Sequence, residues 1–265
     1  MFEDSIRFRP DGSPVGTYVQ CPDCREKEVQ RRDKEELQAE LKEMIEQQQW
    51  VWEEESNMPT GFALKTFADF ESKLQLKAFQ AVKNLQWQWV NALPDDIRPK
   101  SLVLLSPGVY GVGKTHLVCA LINLIVETEE KAYIEGKGFS QYVRRKQCPV
   151  YFTSENQLLR RIRQTYNRKD EAESEEDIYR KLAKYDLLVI DDVGKVKPRD
   201  LNFLQGVYFN IIDARYTESQ PVILTTNLDY SELEGHIGGA CADRLREMCG
   251  EKGFIKMTGK SYRQR

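Results

Sequence analysis

Gly108-Val-Tyr-Gly111-Val-Gly113-Lys114-Thr115 fits the pattern G-x-x-x-x-G-K-[ST] at every fixed position. It follows the apolar run Leu102–Leu105 and precedes a helical stretch over 116–127. A loop of this kind works only between a strand and a helix. Its glycines let backbone N–H groups close around phosphate oxygens, and the helix N-terminus adds a positive dipole end. Lys114 is placed to neutralise phosphate, and the Thr115 hydroxyl to ligate Mg²⁺. Gly108, Val109, Tyr110, Gly111, Val112, Gly113, Lys114, Thr115 and His116 are therefore the candidate phosphate-binding residues. A ligand-free glycine-rich turn is the alternative, and motif and context together argue against it.

The strand–loop–helix unit calls for more of the same around it. Val150–Thr153, Leu187–Ile190 and Val222–Thr225 are short apolar runs of the kind that buried parallel strands show, and Phe254–Met257 is a plausible fifth strand. Helical patterns separate them. Residues 70–90 read as one helix with Phe70, Leu74, Phe79, Val82 and Leu85 as apolar positions. Residues 200–216 read as another, with Leu201, Leu204, Val207, Tyr208, Ile211, Ile212 and Tyr216 on one face. The alternation predicts an α/β fold with a mainly parallel sheet.

Two further strand tips carry polar groups. Leu187-Leu-Val-Ile-Asp191-Asp192 ends in two acids, at the sheet edge where such folds bind ligands. Asp191 is the candidate Mg²⁺-side acid, and Asp192 the candidate that polarises an attacking water. A strand followed by an acidic turn is the other reading. Val222-Ile-Leu-Thr225-Thr226-Asn227 offers Asn227 to position that water or sense a γ-phosphate, although Thr-Asn is also an ordinary turn.

Composition narrows the classes. With 39 Lys and Arg against 42 Asp and Glu among 265 residues, a general basic coat for nucleic acid is excluded, and any such contact must be a local patch. The run Leu117–Val126 is too short to span a bilayer, and the charged start MFEDSIRFRP lacks the apolar core of a signal peptide. A cytoplasmic protein is expected, and its 6 cysteines then read as thiols or ligands. Residues 1–20 look irregular. Residues 25–56 contain no Gly or Pro and place Leu37, Leu41, Met44, Ile45 and Trp52 at helical spacing, which predicts an amphipathic helix. That helix either packs on its own body or meets another chain. Asn57-Met-Pro-Thr-Gly61 breaks the pattern, dividing the chain into an appendage, 1–58, and a main domain, 59–265.

Cys21-Pro-Asp-Cys24 has the spacing of a zinc knuckle. No second pair lies nearby, so an unoccupied knuckle is favoured over zinc completed by another chain or a distant ligand. A redox pair is the weakest reading.

The three tipped strands in this order resemble the AAA+ ATPases, and most closely their DnaC/IstB branch of replicative helicase loaders and transposition helpers. GVYGVGKTHL is similar to that branch's Walker A, LLVIDDVG to its Walker B and VILTTNL to its sensor 1. Ala242-Asp-Arg244-Leu245 resembles the arginine-finger segment, and Ser261-Tyr-Arg263 the terminal element that carries sensor 2. The resemblance runs from about residue 62 to the C-terminus. It implies a five-stranded parallel sheet in the order 5-1-4-3-2, with ATP and Mg²⁺ at a subunit boundary. Arg244 would act in trans within a head-to-tail assembly, with Arg263 as sensor 2; a surface helix arginine is the other reading of Arg244. A helical lid is expected to be reduced or absent. Asp192 stands where many AAA+ members carry Glu, which implies reduced turnover.

Two basic clusters are candidates for single-stranded DNA: Arg144, Arg145 and Lys146 beside Tyr133, Phe139 and Tyr142, and Arg160, Arg161 and Arg163. Charge balanced by the acids at 170–177 is the alternative. The resemblance thus implies an ATP-hydrolysing helicase loader, with residues 1–58 binding the replicative helicase. A transposase-recruiting helper and a nucleotide-switched binding module with negligible hydrolysis are the alternatives.

Overall fold

The computed structural model describes residues 22–91, 99–137, 140–166, 173–197 and 199–262, except for the side chain of Cys24. The strands are β1 (Leu102–Leu105), β2 (Ala132–Glu135), β3 (Tyr142–Arg145), β4 (Val150–Ser154), β5 (Leu187–Val193), β6 (Val222–Thr226) and β7 (Phe254–Lys256). The helices are α1 (Pro22–Glu55), α2 (Leu76–Val90), α3 (Lys114–Thr128), α4 (Glu155–Thr165), α5 (Glu175–Lys184), α6 (Leu201–Thr217), α7 (Tyr230–Ile237) and α8 (Gly239–Cys249).

Five of the strands form one parallel sheet in the order β4-β5-β6-β1-β7. Numbered by occurrence and read from β7, this is 5-1-4-3-2, as the resemblance implies. Both faces are covered, so the strands need apolar residues on both sides. Alternation along β1 sends Leu102 and Leu104 into one core and Val103 and Leu105 into the other. The first core is completed by α2, α3 and Trp52 of α1; the second draws on α4 to α8. Between β7 and Tyr262 the described chain contains no lid helix.

Two features differ from the sequence reading, and a third bears on an alternative left open there. The helix expected over 70–90 starts at Leu76, after a short 3-10 turn at Ser72–Leu74. Phe70 leaves the helical path because its ring packs over Gly113, and Leu74 is exposed. Second, β2 and β3 form an antiparallel hairpin, pairing Ala132 with Arg145 and Glu135 with Tyr142. Third, the end of α1 is fastened to the body. Trp52 is buried, and the Trp52 Nε1–H and the Gln48 amide both donate to the Lys146 carbonyl (3.2 and 3.0 Å). Phe152 N–H donates to Ser56 O (2.8 Å), and Asn57 Nδ2 donates to Phe152 O (2.8 Å). These bonds use the open side of β4, an edge strand with backbone groups to satisfy.

Candidate nucleotide site

The loop from Ser106 to Gly113 joins β1 to α3. Gly113 has φ +96°, and a Cβ there would sit 2.6 Å from the Phe70 ring, so the motif's last glycine is required twice over. No side chain caps α3, which leaves its first-turn N–H groups open to an anion. Lys114 is buried at the base of the loop. Its ammonium donates to Ser106 Oγ and to Asn227 Oδ1 (2.7 Å), and Ser106 Oγ donates to the same Asn227 oxygen (3.0 Å). Gly108 N–H donates to the Asn227 carbonyl (3.3 Å). The tip of β6 is thereby tied to the phosphate loop.

Thr115 Oγ1 donates to Asp191, 3.0 and 3.1 Å from its two carboxylate oxygens, and Thr225 Oγ1 donates to Asp191 Oδ1 (2.5 Å). Burial raises the Asp191 pKa above its ordinary value, and the neighbouring Asp192 charge acts in the same direction; the two threonine bonds only partly offset this. A buried carboxylate and a hydroxyl are hard oxygen donors on adjacent elements, a set suited to Mg²⁺. Asp192 has φ +57°, and its N–H donates to Thr225 Oγ1 (3.0 Å). Its carboxylate takes a bond from Lys195 Nζ (2.9 Å). The sheet edge thus brings together Lys114, Thr115, Asp191, Asp192 and Asn227, residues far apart in sequence.

Above the loop lies a cleft of about 330 Å³ with an aromatic wall of Phe62, Phe70, His116 and Tyr262. His116 Nε2 lies 3.2 Å from Thr66 O, and its ring meets Phe70 edge-on at 5.4 Å. Tyr262 N–H donates to Gly111 O (2.9 Å), and its hydroxyl donates to Glu71 O (3.0 Å). The chain is therefore drawn onto the phosphate loop one residue before Arg263, which itself lies outside the described residues. Val112 is buried, whereas Tyr110 is exposed.

Arg244 does not reach this cleft. It lies on α8, paired with Asp213 (2.9 Å) and set over the Phe209 ring at 4.8 Å. Cys21 lies outside the described residues, as does the Cys24 side chain. Cys119, Cys148, Cys241 and Cys249 are buried thiols, and no cluster fit to hold a metal occurs among the described residues. Burial pushes the Cys241 and Cys249 pKa values up to about 12, which suits apolar packing rather than ligation.

Much of the first basic cluster is paired: Arg144 with Glu135 (2.7 Å) and Lys146 with Glu130 (2.6 Å), while Arg145 meets Met44. Phe139 lies outside the described residues. In the second cluster, Arg161 makes a two-pronged bond to Glu173 (2.9 and 2.7 Å), and Arg163 lies over Phe203 (5.4 Å). Arg160 has no ion pair among the described residues. Sequence reading missed Ser106, Thr225, Phe70 and Tyr262 as site residues. Ser106 and Thr225 had a signal as polar residues at the carboxyl ends of apolar strands, and Tyr262 stood inside the terminal Ser-Tyr-Arg element; Phe70 had none.

The sheet order and the joined Walker A, Walker B and sensor 1 tips define an AAA+ P-loop ATP-binding protein. Residues 34–265 match the family described as IstB-like ATP binding protein, and the chain belongs to that family. It is 27% identical over 129 residues to the chromosomal replication initiator protein DnaA of Streptococcus agalactiae, serotype Ia, covering 48% of this chain and 23% of that protein. It is 25% identical over 158 residues to the replicative helicase loader DnaC of Escherichia coli K12, covering 60% of this chain and 55% of DnaC. The matches thus span less than two thirds of either relative. A crystal structure of the DnaC helicase loader shares the fold with a TM-score of 0.55 at 20% identity, over 76% of this chain and 100% of that one. No helix among the described residues is long and apolar enough to cross a membrane.

Proposed function

We propose that this chain is a DnaC-like loader that hydrolyses ATP, assembles head to tail, holds single-stranded DNA and delivers a replicative helicase in the cytoplasm. The observation that carries this reading is the convergence of Lys114, Thr115, Asp191 and Asn227 at one sheet edge, while Arg244 points away from its own cleft. The α3 N-terminus and Lys114 bind the β- and γ-phosphates of ATP, with Lys114 turning from its present acceptors toward phosphate oxygen. Thr115 and Asp191 would hold Mg²⁺, which would supply charge neutralisation at the phosphates. Asp192 polarises the attacking water, and the Thr225 and Lys195 contacts fix its position. Asn227 orients that water. Arg244 of a neighbouring copy stabilises charge on the transferred phosphoryl group, and Arg263 serves as sensor 2. Cys21 and Cys24 remain candidates for zinc only if other ligands complete the site.

Residues 1–58 form the partner-binding appendage and 59–265 the ATPase domain, the last turns of α1 anchoring one to the other. Arg160 and Arg163 on α4, with Lys197 and Arg199 after β5, offer exposed cationic groups for the DNA backbone. The family match to IstB-like proteins favours one second reading, a transposition helper whose partner is a transposase. Full-length chain immobilised with Mg·ATP in host extract separates the two. Retention of a hexameric replicative helicase supports the loader, and retention of a transposase supports the helper. Retention of neither contradicts both.

A further inference from the structure

α4 opens with Glu155, whose side chain is fully buried beneath the sheet's carboxyl edge. Four groups converge on this carboxylate. Oε2 accepts the N–H groups of Gly194 (3.0 Å) and Val196 (3.2 Å). Oε1 accepts the Tyr208 hydroxyl (2.8 Å) and lies 2.7 Å from His236 Nε2. Gly194 and Val196 belong to the loop that leaves Asp192. The same loop is pressed from the other side, where a Cβ on Gly194 would meet Leu228 at 2.3 Å, just past Asn227. His236 lies in the last turn of α7, and Gly238 (φ +91°) turns the chain directly into α8, the helix of Arg244.

A buried carboxylate carries a desolvation cost that an apolar residue at this position would avoid. Here its bonds join α4 to the loop after β5, to α6 and to α7, which are otherwise held together by apolar packing and by the Gln205 Nε2–Gly235 O bond between α6 and α7 (2.9 Å). A polar hub of this kind specifies one arrangement of its partners, and a shift in any of them is felt by the others. We propose that Glu155 is a positioning residue that couples the nucleotide state of the cleft, through the Asp192–Val196 loop and His236, to the α7–α8 unit that carries Arg244. This rests on the nucleotide-binding reading above. A chain that reports its own nucleotide to the helix serving its neighbour has a physical route for doing so.

The sequence supplies its own reporters, because its 2 histidines are His116 in the cleft and His236 at the hub. Imidazole NMR of the full chain, without a histidine tag, is recorded with and without Mg·ATPγS, and the signals are assigned with His116→Gln. In wild type both histidines should shift. In Glu155→Gln the His116 shift should persist with the same midpoint while the His236 response is lost, because a glutamine whose oxygen accepts the loop N–H groups presents uncharged N–H donors, not an anionic acceptor, to Tyr208 and His236. Tyr208→Phe, which removes one donor, should weaken the His236 response, and it provides a second test if Glu155→Gln does not fold. A wild-type His236 that stays still while His116 moves overturns the coupling and leaves nucleotide binding intact. An undiminished His236 response in Glu155→Gln also overturns it. Silence at both histidines removes the nucleotide reading and this inference with it.

Discussion

Replacing Trp52 with alanine tests whether the end of α1 belongs to the body. The indole is 1% exposed, within the core formed with α2 and α3. It donates to the Lys146 carbonyl, and the Lys131 ammonium lies 5.3 Å from the ring centre. Removing a buried Trp costs about 3–5 kcal/mol through lost transfer energy and the cavity left behind. For a chain of this size each kcal/mol moves Tm by about 2–4 °C, so a fall of roughly 6–20 °C is expected. Trp52→Phe keeps most of the apolar area and loses the hydrogen bond, a cost of about 1 kcal/mol. Trp50, 62% exposed two residues earlier, provides the control, and Trp50→Ala should stay within about 0.5 kcal/mol of wild type. Thermal unfolding followed by circular dichroism compares all three. A Trp52→Ala shift no larger than that of Trp50→Ala would show that α1 does not dock as described.

Other outcomes follow from the charged groups. Because burial raises the Asp191 pKa, its favourable contribution is present below the ordinary carboxylate value near 3.8 and is lost as pH rises through the folded value. Asp191→Asn should therefore leave the nucleotide-free chain at least as stable at pH 7 while abolishing the thermal shift given by Mg·ATP. Arg161, chiefly through its hydrogen bond, holds the Glu173 pKa below 4.5, so this pair's contribution is present above 4.5 and is lost as pH falls through the depressed value. The stability difference between wild type and Glu173→Gln, measured by urea unfolding, should close on acidification. Arg215 is fully buried and donates to the carbonyls of Leu182, Tyr185, Asp186 and Pro221, joining two connections at the amino edge of the sheet. Arg215→Leu strands those carbonyls and should cost about 3 kcal/mol or more in urea unfolding.

What could be read in advance was local. The β1, β5 and β6 runs were legible because a strand buried on both faces must be apolar throughout, and their tips because ligand groups collect at carboxyl ends. The strand order was not visible in the residues; it came with the family resemblance. The β2–β3 hairpin escaped because Tyr142–Arg145 is mostly exposed and charged, so it read as a basic patch rather than a strand. The pairing of those charges depends on Glu135 across the hairpin, which spacing along the chain does not reveal. Glu155 looked like any helix-opening acid, since its partners lie 39 to 81 residues away. Phe70 was assigned to a helix because its period fitted, and contact with Gly113 overrode the local pattern.

The central claim is that ATP is hydrolysed in a cleft completed by a neighbour's Arg244. Phosphate release by the full-length chain, with single-stranded DNA and across a range of protein concentrations, tests it most directly. Turnover per chain should rise with concentration and vanish in both Lys114→Ala and Arg244→Ala. It should partly return when those two variants are mixed, because one donates the finger to the other's intact cleft. Wild-type turnover no faster than that of Lys114→Ala at every concentration, or full activity of Arg244→Ala alone, would contradict the account.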